Sequence, residues 1–222
     1  MSKPWLLVSP ASRGIGLQLA RRLLKTTDLP VIATARRDLD GLRTQILDGL
    51  DVDNQRLEVM RLDVTGMSNS TDPPLPSYIQ NSHFTTLDES TIASVAEHCT
   101  SRFSSTYLRL AFCIPGILYP EKSPSQIDHS KALQTFQINT LGPLLLAKHF
   151  SPLLPRKATE ISPLSNLPPS AVLTLMSARV GSISDNSLGG WYSYRASKAA
   201  VNSIAKSVDI YLRQRCGENA MC

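Results

Sequence analysis

Short apolar runs alternate with stretches of helical periodicity along most of this chain. The apolar runs have the length and composition of buried strands, and they occupy residues 5–8, 31–35, 57–62, 108–113 and 172–176. Between them, apolar residues recur at helical spacing in residues 17–24, 88–96, 132–150 and 194–211. Such alternation is typical of a parallel sheet with helices on both faces and right-handed crossovers. The pattern therefore predicts an α/β fold in which residues 1–222 form a single domain.

Two segments interrupt this alternation. Residues 66–87 are rich in Pro, Ser, Thr and Asn, and they are longer than the usual connection between a strand and a helix. We predict that they form a surface insertion. Residues 155–169 form a second polar excursion, which precedes the fifth strand.

The segment after the first strand reads Ser9-Pro10-Ala11-Ser12-Arg13-Gly14-Ile15-Gly16. Glycines between a strand and a helix let backbone N–H groups approach a pyrophosphate at the positive end of the helix dipole. The second strand ends at Arg36 and Arg37, where a dinucleotide-binding unit carries the residue that contacts the ribose. An arginine there suits the 2′-phosphate of NADP, whereas an acid would suit the free 2′-hydroxyl of NAD. Asp38 and Asp40 are close enough in sequence to keep NAD as the alternative.

Tyr194 and Lys198 lie four residues apart in an Ala-rich helical stretch, so they share one helix face. A lysine beside a tyrosine favours the phenolate by charge, and such a pair can protonate a carbonyl oxygen. The alternative is that both side chains simply belong to a solvated helix face.

With the glycine segment near one end and Tyr194-Arg195-Ala196-Ser197-Lys198 near the other, the chain resembles the short-chain dehydrogenase/reductase family over essentially its whole length. The stretches 177–182 and 189–198 most resemble the carbonyl-reductase-like, C-factor-like branch. Leu62-Asp63-Val64-Thr65 matches the end of the family's third strand, and Phe136-Gln137-Ile138-Asn139 matches the helix that carries its asparagine. The resemblance implies a Rossmann-type doubly wound sheet and hydride transfer from a reduced nicotinamide to an aldehyde or ketone.

The resemblance also implies roles for individual residues. Tyr194 would donate the proton, Lys198 would assist it and hold the nicotinamide ribose, Ser177 would bind the substrate oxygen, and Asn139 would anchor a water. The residues expected to bind the cofactor, NADP in preference to NAD, are Ser9, Ser12, Arg13, Gly14, Ile15, Gly16, Arg36, Arg37, Asp63, Val64, Gly116, Tyr194 and Lys198.

The chain departs from the family pattern at three places before its end. Ser9-Pro10 stands where the family usually has Thr-Gly, and Cys113-Ile114-Pro115-Gly116 stands where it has Asn-Asn-Ala-Gly. Gly181 falls at the spacing of the catalytic serine. Ser177 is assigned instead because it follows the fifth strand, with Ser182 and Ser184 as alternatives.

The largest departure lies at the end of the chain. Residues 213–219 are polar and resemble the turn into the family's sixth strand, but the sequence stops at Cys222. We therefore expect the final strand or strands of the family to be missing and the sheet edge beside the fifth strand to be unpaired. Two alternatives to a working enzyme follow: a dinucleotide-binding sensor or interaction protein without turnover, and an inactive shortened form of the enzyme.

Composition and charge limit the kinds of partner that we expect for this chain. The net charge of +5 is not gathered into one basic run with interleaved aromatics, so we expect no nucleic-acid partner. We expect no membrane segment, no metal site, reduced cysteines and a cytoplasmic location. The expected partners are a small carbonyl or alcohol substrate and a second copy of the chain, paired through residues 132–150 and 194–211.

Overall fold

The computed structural model describes residues 3–65, 89–164 and 166–222. Its strands are β1 (Trp5–Ser9), β2 (Val31–Ala35), β3 (Leu57–Arg61), β4 (Leu108–Cys113), β5 (Ala171–Leu175) and β6 (Ala220–Met221). Its α-helices are α1 (Gly14–Thr26), α2 (Leu39–Leu47), α3 (Glu89–Arg102), α4 (His129–Phe136), α5 (Gly142–Phe150) and α6 (Tyr192–Cys216). The predicted surface insertion, residues 66–87, lies outside the described residues.

The strands form one sheet in the order β3-β2-β1-β4-β5-β6, and every neighbouring pair is parallel. The predicted α/β fold of the Rossmann type is therefore confirmed. Strand order reverses between β1 and β4, and in such sheets ligands bind outside the carboxyl ends of the strands at that point.

Alternate residues of each strand supply two separate cores. Trp5 and Leu7 face a core shared with α3, α5 and α6, whereas Leu6 and Val8 face a core shared with α1 and α2. Both faces of the sheet are thus covered by helices. This explains why the strands read as continuous apolar runs rather than alternating ones.

The end of the chain differs from the expectation. The helix carrying Tyr194 continues to Cys216, and a short 3-10 turn, Gly217–Asn219, then leads into β6. Ala220 and Met221 pair with Ala171 and Val172 of β5. The prediction that the edge beside β5 has no partner is therefore wrong over these two residue pairs.

The predicted helix over residues 132–150 is interrupted. A π-helical segment, Gln137–Leu141, separates α4 from α5 and carries Asn139. Single π turns inside α-helices are frequent at functional sites. None of the described helices combines the length and apolarity that crossing a membrane requires.

Candidate functional site

A cleft of about 710 Å³ lies at the carboxyl ends of the strands, where the strand order reverses. The loops after β1, β2, β3 and β4 line it. The predicted cofactor-binding residues among its lining are Ser12, Arg13, Gly14, Ile15, Gly16, Arg36, Arg37, Asp63, Val64 and Gly116. The structure therefore brings together residues that are far apart in the sequence.

Two glycines shape the turn into α1. Gly14 begins the helix with a φ of +54°, which an L side chain rarely adopts. A Cβ on Gly16 would lie 2.1 Å from the carbonyl oxygen of Pro10, so only glycine fits there. Ser12, Arg13, Gly14 and Ile15 are exposed, which leaves the positive end of α1 open to the cleft. These residues fit a bound pyrophosphate.

Ser9, which we expected to contact the cofactor, does not line this cleft. Its side chain is fully buried, and its Oγ accepts a hydrogen bond of 2.8 Å from the Thr34 hydroxyl on β2. The reason is its place within β1, where strand geometry directs the side chain into the protein. The Ser9 side chain is therefore not placed to contact a cofactor in this cleft.

Charged residues after β2 and β3 form a connected set on one side of the cleft. Arg36 Nη1 donates to Thr65 Oγ1 at 3.4 Å, and Thr65 donates through its backbone N–H and its hydroxyl to Asp63 Oδ1 at 2.8 and 2.6 Å. Asp38 instead caps α2 by accepting the Gly41 N–H at 3.0 Å, and it is not among the residues that line the cleft. Arg36 and Arg37, and not Asp38, thus line the part of the cleft that is expected to hold the ribose.

Tyr194 and Lys198 lie on adjacent turns of α6. The Lys198 ammonium is 5.8 Å from the centroid of the Tyr194 ring and donates to the backbone oxygen of Met176 at 2.7 Å. Lys198 is 2% exposed, and burial lowers the pKa of its ammonium from the ordinary value. A Cβ on Gly116 would lie 3.6 Å from Lys198 Nζ, and both Gly116 and Met176 line the cleft. The Lys198 ammonium therefore lies beside the wall of the cleft, although neither Tyr194 nor Lys198 is among the residues that line it. The burial of Lys198 shows that it does not belong to a solvated helix face.

Asn139 connects the loop after β4 to α6. Its Nδ2 donates to the Ile117 carbonyl at 2.9 Å and to Ser197 Oγ at 3.1 Å, and its Oδ1 accepts the Ile117 N–H at 2.8 Å. The side chain is fully buried. Both amide protons are thus engaged, so a water could meet only the remaining lone pair of Oδ1 or the backbone carbonyl.

The three candidate serines differ in what they contact. Ser177 Oγ donates to the backbone oxygen of Lys198 at 3.2 Å, which places it against α6. Ser182 and Ser184 contact each other at 3.2 Å in the following loop. A Cβ on Gly181 would lie 2.8 to 3.0 Å from atoms of Lys198 and Ala199, so no side chain fits at that position. These contacts favour Ser177 over the alternatives.

Glu121, in the loop after β4, is a site residue that we did not predict. It is 3% exposed; its Oε2 accepts the Ser193 N–H at 2.8 Å, and its Oε1 accepts the Ser193 hydroxyl at 2.6 Å. Its backbone oxygen accepts the Trp191 N–H at 2.7 Å. The partners are 72 residues apart along the chain, and nothing around Glu121 in the sequence signals the contact.

Among the described residues, neither the cysteines nor potential metal ligands have a role in this site. All four cysteines are free, and burial raises the pKa of Cys99 to about 12 and that of Cys222 to about 11, which keeps both as thiols at neutral pH. Within residues 3–65, 89–164 and 166–222, no three His, Cys, Asp or Glu side chains are grouped to hold a metal ion.

Comparison with known proteins agrees with this geometry. No family model matches the chain. Over 110 residues it is 34% identical to 1-hydroxy-2-glutathionyl-2-methyl-3-butene dehydrogenase of Rhodococcus sp. (strain AD45), which covers 49% of this chain and 42% of that protein. Over 87 residues it is 33% identical to the C-signal protein of Myxococcus xanthus, which covers 39% of this chain and 46% of that protein. The matched segments thus span less than half the length of both relatives.

Among solved structures, NADPH-bound carbonyl reductase from chicken fatty liver superposes with a TM-score of 0.72 and 28% identity, over 100% of this chain and 76% of that one. Sequence and structure therefore lead to the same group of proteins. This chain is similar in sequence and fold to members of the short-chain dehydrogenase/reductase family, in particular to carbonyl-reductase-like and C-factor-like proteins.

Proposed function

We propose that this protein is an NADP-dependent oxidoreductase that reduces the carbonyl of an aldehyde or ketone to an alcohol. The observation that carries the proposal is the Tyr194–Lys198 pair, in which a buried ammonium beside the cleft residues Gly116 and Met176 lies 5.8 Å from the centroid of the phenol ring. Similarity to a short-chain dehydrogenase and to the NADPH-bound chicken carbonyl reductase supports it.

The cleft residues suit NADP. The exposed start of α1, with Arg13 and Gly14, would hold the pyrophosphate, and Arg36 with Arg37 would hold the 2′-phosphate. Asp63, Val64 and Gly116 would line the remaining wall. When bound, NADPH supplies the hydride for the reduction. NAD is the weaker candidate because the Asp38 carboxylate is already engaged in capping α2.

Tyr194 would act as the general acid. Its phenolic proton passes to the oxygen of the substrate carbonyl as negative charge develops there. The phenolate that remains is stabilised by the Lys198 ammonium, whose charge is little screened because the side chain is buried. Lys198 would also bind the ribose hydroxyls of the cofactor with the donors that it does not use on Met176.

Ser177 and Asn139 would complete the site. To donate to a substrate oxygen, the Ser177 hydroxyl must first release the Lys198 carbonyl, since a hydroxyl has one proton. Asn139 would hold a water for proton transfer through Oδ1 or its backbone oxygen. Its side chain also keeps the loop after β4 attached to α6.

The test is titration of the purified chain with NADPH and separately with NADH, followed by addition of an aldehyde and ketone panel. We expect tighter binding of NADPH and its oxidation by the wild type. Tyr194→Phe should bind NADPH normally and lose turnover by about 100-fold or more, because the general acid is removed. Equal turnover by Tyr194→Phe would contradict the assignment of the acid.

A second candidate is a dinucleotide-binding protein without turnover. The observation that favours it is the Ser177 hydroxyl, whose proton is engaged by the Lys198 carbonyl rather than directed to the cleft. Binding of NADPH without oxidation across the whole panel would support this candidate. Absence of NADPH binding would exclude both.

We also propose a cytoplasmic homodimer. Exposed apolar side chains lie in the π segment, in the helices on either side of it and late in α6. They are Phe136, Leu141, Leu144, Ile210 and Tyr211. A second copy could cover them. Light scattering should give twice the mass of the chain, and a monomer at micromolar concentration would contradict the dimer.

A further inference from the structure

The first turn of α6 is held by one buried residue, Glu121. Both oxygens of its carboxylate accept hydrogen bonds from Ser193, at 2.8 Å from the backbone N–H and 2.6 Å from the hydroxyl. A negative group at a helix N-terminus is stabilised by the helix dipole. The helix gains no side-chain cap from its own N-cap residue, Trp191. Glu121 therefore supplies from another loop the cap that the helix itself does not provide.

Glu121 also holds the residue that precedes the helix. Gly189, Gly190 and Trp191 have successive φ values of 64°, 66° and 52°. Such a conformation is unfavourable for a bulky residue, and it persists only where the surroundings impose it. The Trp191 N–H donates to the Glu121 carbonyl at 2.7 Å, and the Arg195 N–H donates to the Trp191 oxygen at 2.8 Å. These two bonds fix the tryptophan in its unfavourable conformation.

The consequence for the site lies in the two aromatic rings. The Trp191 indole meets the Tyr194 ring edge to face, with centroids 6.2 Å apart and planes at 79°. Trp191 is 38% exposed, so it is partly open to solvent beside Tyr194. A shift of the first turn of α6 would move both rings.

We propose that Glu121 is a positioning residue for the reaction: its carboxylate and its backbone carbonyl hold Trp191 and Tyr194 in a fixed relative orientation. This rests on the proposed function in so far as Tyr194 is the acid. Glu121 itself touches no reacting atom and is not among the cleft residues. Its loss should therefore change turnover and leave cofactor affinity unchanged.

The experiment compares Glu121→Ala, Glu121→Gln and Ser193→Ala with the wild type. Asp53→Ala is the matched control, because Asp53 also caps a turn with its carboxylate, at 2.9 Å from the Gln55 N–H, but beside β3 at the other edge of the sheet. One readout is kcat, KM and the NADPH dissociation constant. The other is acrylamide quenching of tryptophan fluorescence, which reports Trp191 because Trp5 is only 1% exposed.

Glu121→Ala should lower kcat by about 10- to 100-fold through misplacement of the acid, with an unchanged NADPH dissociation constant and stronger quenching of Trp191. Glu121→Gln can still accept the Ser193 N–H and donate to its hydroxyl. Its kcat should therefore lie within about two- to fivefold of the wild-type value. The remaining difference reflects the loss of the negative charge at the helix N-terminus. Ser193→Ala should be intermediate.

The proposal is overturned if Glu121→Ala matches Asp53→Ala in both kcat and quenching. If Glu121→Ala does not fold, Ser193→Ala decides the question. Wild-type kcat and wild-type quenching in Ser193→Ala overturn the proposal, whereas a change in both supports it. If the wild type has no turnover on any carbonyl, the proposed function has failed. Quenching then decides separately whether Glu121 holds Trp191.

Discussion

Three glycines around the site allow a graded test of the structure. A Cβ on Gly16 would lie 2.1 Å from the Pro10 carbonyl oxygen, and one on Gly181 would lie 2.8 Å from the backbone carbon of Lys198. A Cβ on Gly116 would meet nothing nearer than Lys198 Nζ at 3.6 Å. Alanine at these positions should therefore destabilise the protein in the order Gly16, Gly181, Gly116.

The magnitudes follow from the overlap in each case. At Gly16 the backbone would have to separate by more than about 1 Å, so we expect a loss of about 3 kcal/mol in the free energy of unfolding. At Gly181 the overlap is smaller, and we expect a loss of about 1–2 kcal/mol. At Gly116 we expect a change within about 1 kcal/mol, because alanine restricts the unfolded chain and meets only an ordinary contact.

Urea unfolding of the three variants measures the order, and kinetics add a second criterion. Gly16→Ala should weaken NADPH binding, since it displaces the turn before α1, whereas Gly181→Ala should mainly lower kcat, since it presses on α6 at Lys198. If Gly16→Ala is as stable as Gly116→Ala, the close contact between Pro10 and α1 is refuted. If Gly181→Ala leaves kcat unchanged, the packing of residue 181 on α6 does not position Lys198.

Three further predictions concern charge. Lys198→Met should raise the free energy of unfolding at pH 7 by about 1–3 kcal/mol while turnover is lost, because it removes a buried ammonium that has no carboxylate within ion-pair distance among the described residues. Burial lowers the pKa of Lys198, so the unfolded chain binds this proton more tightly than the folded chain does. The free energy of unfolding of the wild type should therefore increase as the pH rises toward 10.5. Urea unfolding from pH 7 to 10 measures this increase, which should be absent in Lys198→Met. Arg36→Ala should weaken NADPH by about tenfold or more and NADH by much less, as measured by nicotinamide fluorescence, because the arginine would pair with the 2′-phosphate. Equal losses for both cofactors would contradict the location of that phosphate.

The sequence predicted the strands well because buried parallel strands are continuous apolar runs with sharp ends. The bounds of β2 and β4 agree with the prediction at both ends, β1 and β3 differ from it by one residue at one end, and β5 is displaced by one residue at both ends. The helix α2 was not predicted, since its buried residues are only Leu42 and Ile46 and the signal is weak. The strand β6 was missed because two residues carry no periodicity, and pairing with β5 alone defines it.

Within the site, the sequence predicts the features that local spacing sets, and it misses those that depend on contacts between distant segments. Tyr194 and Lys198 follow from helical geometry, which the sequence displays directly. The engagement of the Ser177 hydroxyl by Lys198 and the capping by Glu121 depend on segments 21 and 72 residues apart, so no local pattern encodes them. Ser9 is buried because it is the last residue of β1, all of whose residues are buried, whereas the apolar run in the sequence ends at Val8 and does not show that the strand includes Ser9.

These contacts explain how one helix can hold the groups that we propose to react. Glu121 fixes the start of α6, and Asn139 holds its second turn through Ser197 Oγ, which in turn donates to the Tyr194 carbonyl at 2.7 Å. Thr140 of the π segment also donates to the Ser197 carbonyl at 3.2 Å. The residues on both sides of Tyr194 are thus tied to the loop after β4 and to the π segment. Because the loop after β4 also lines the cleft, the structure links the position of Tyr194, the acid that we propose, to the wall against which a cofactor would lie.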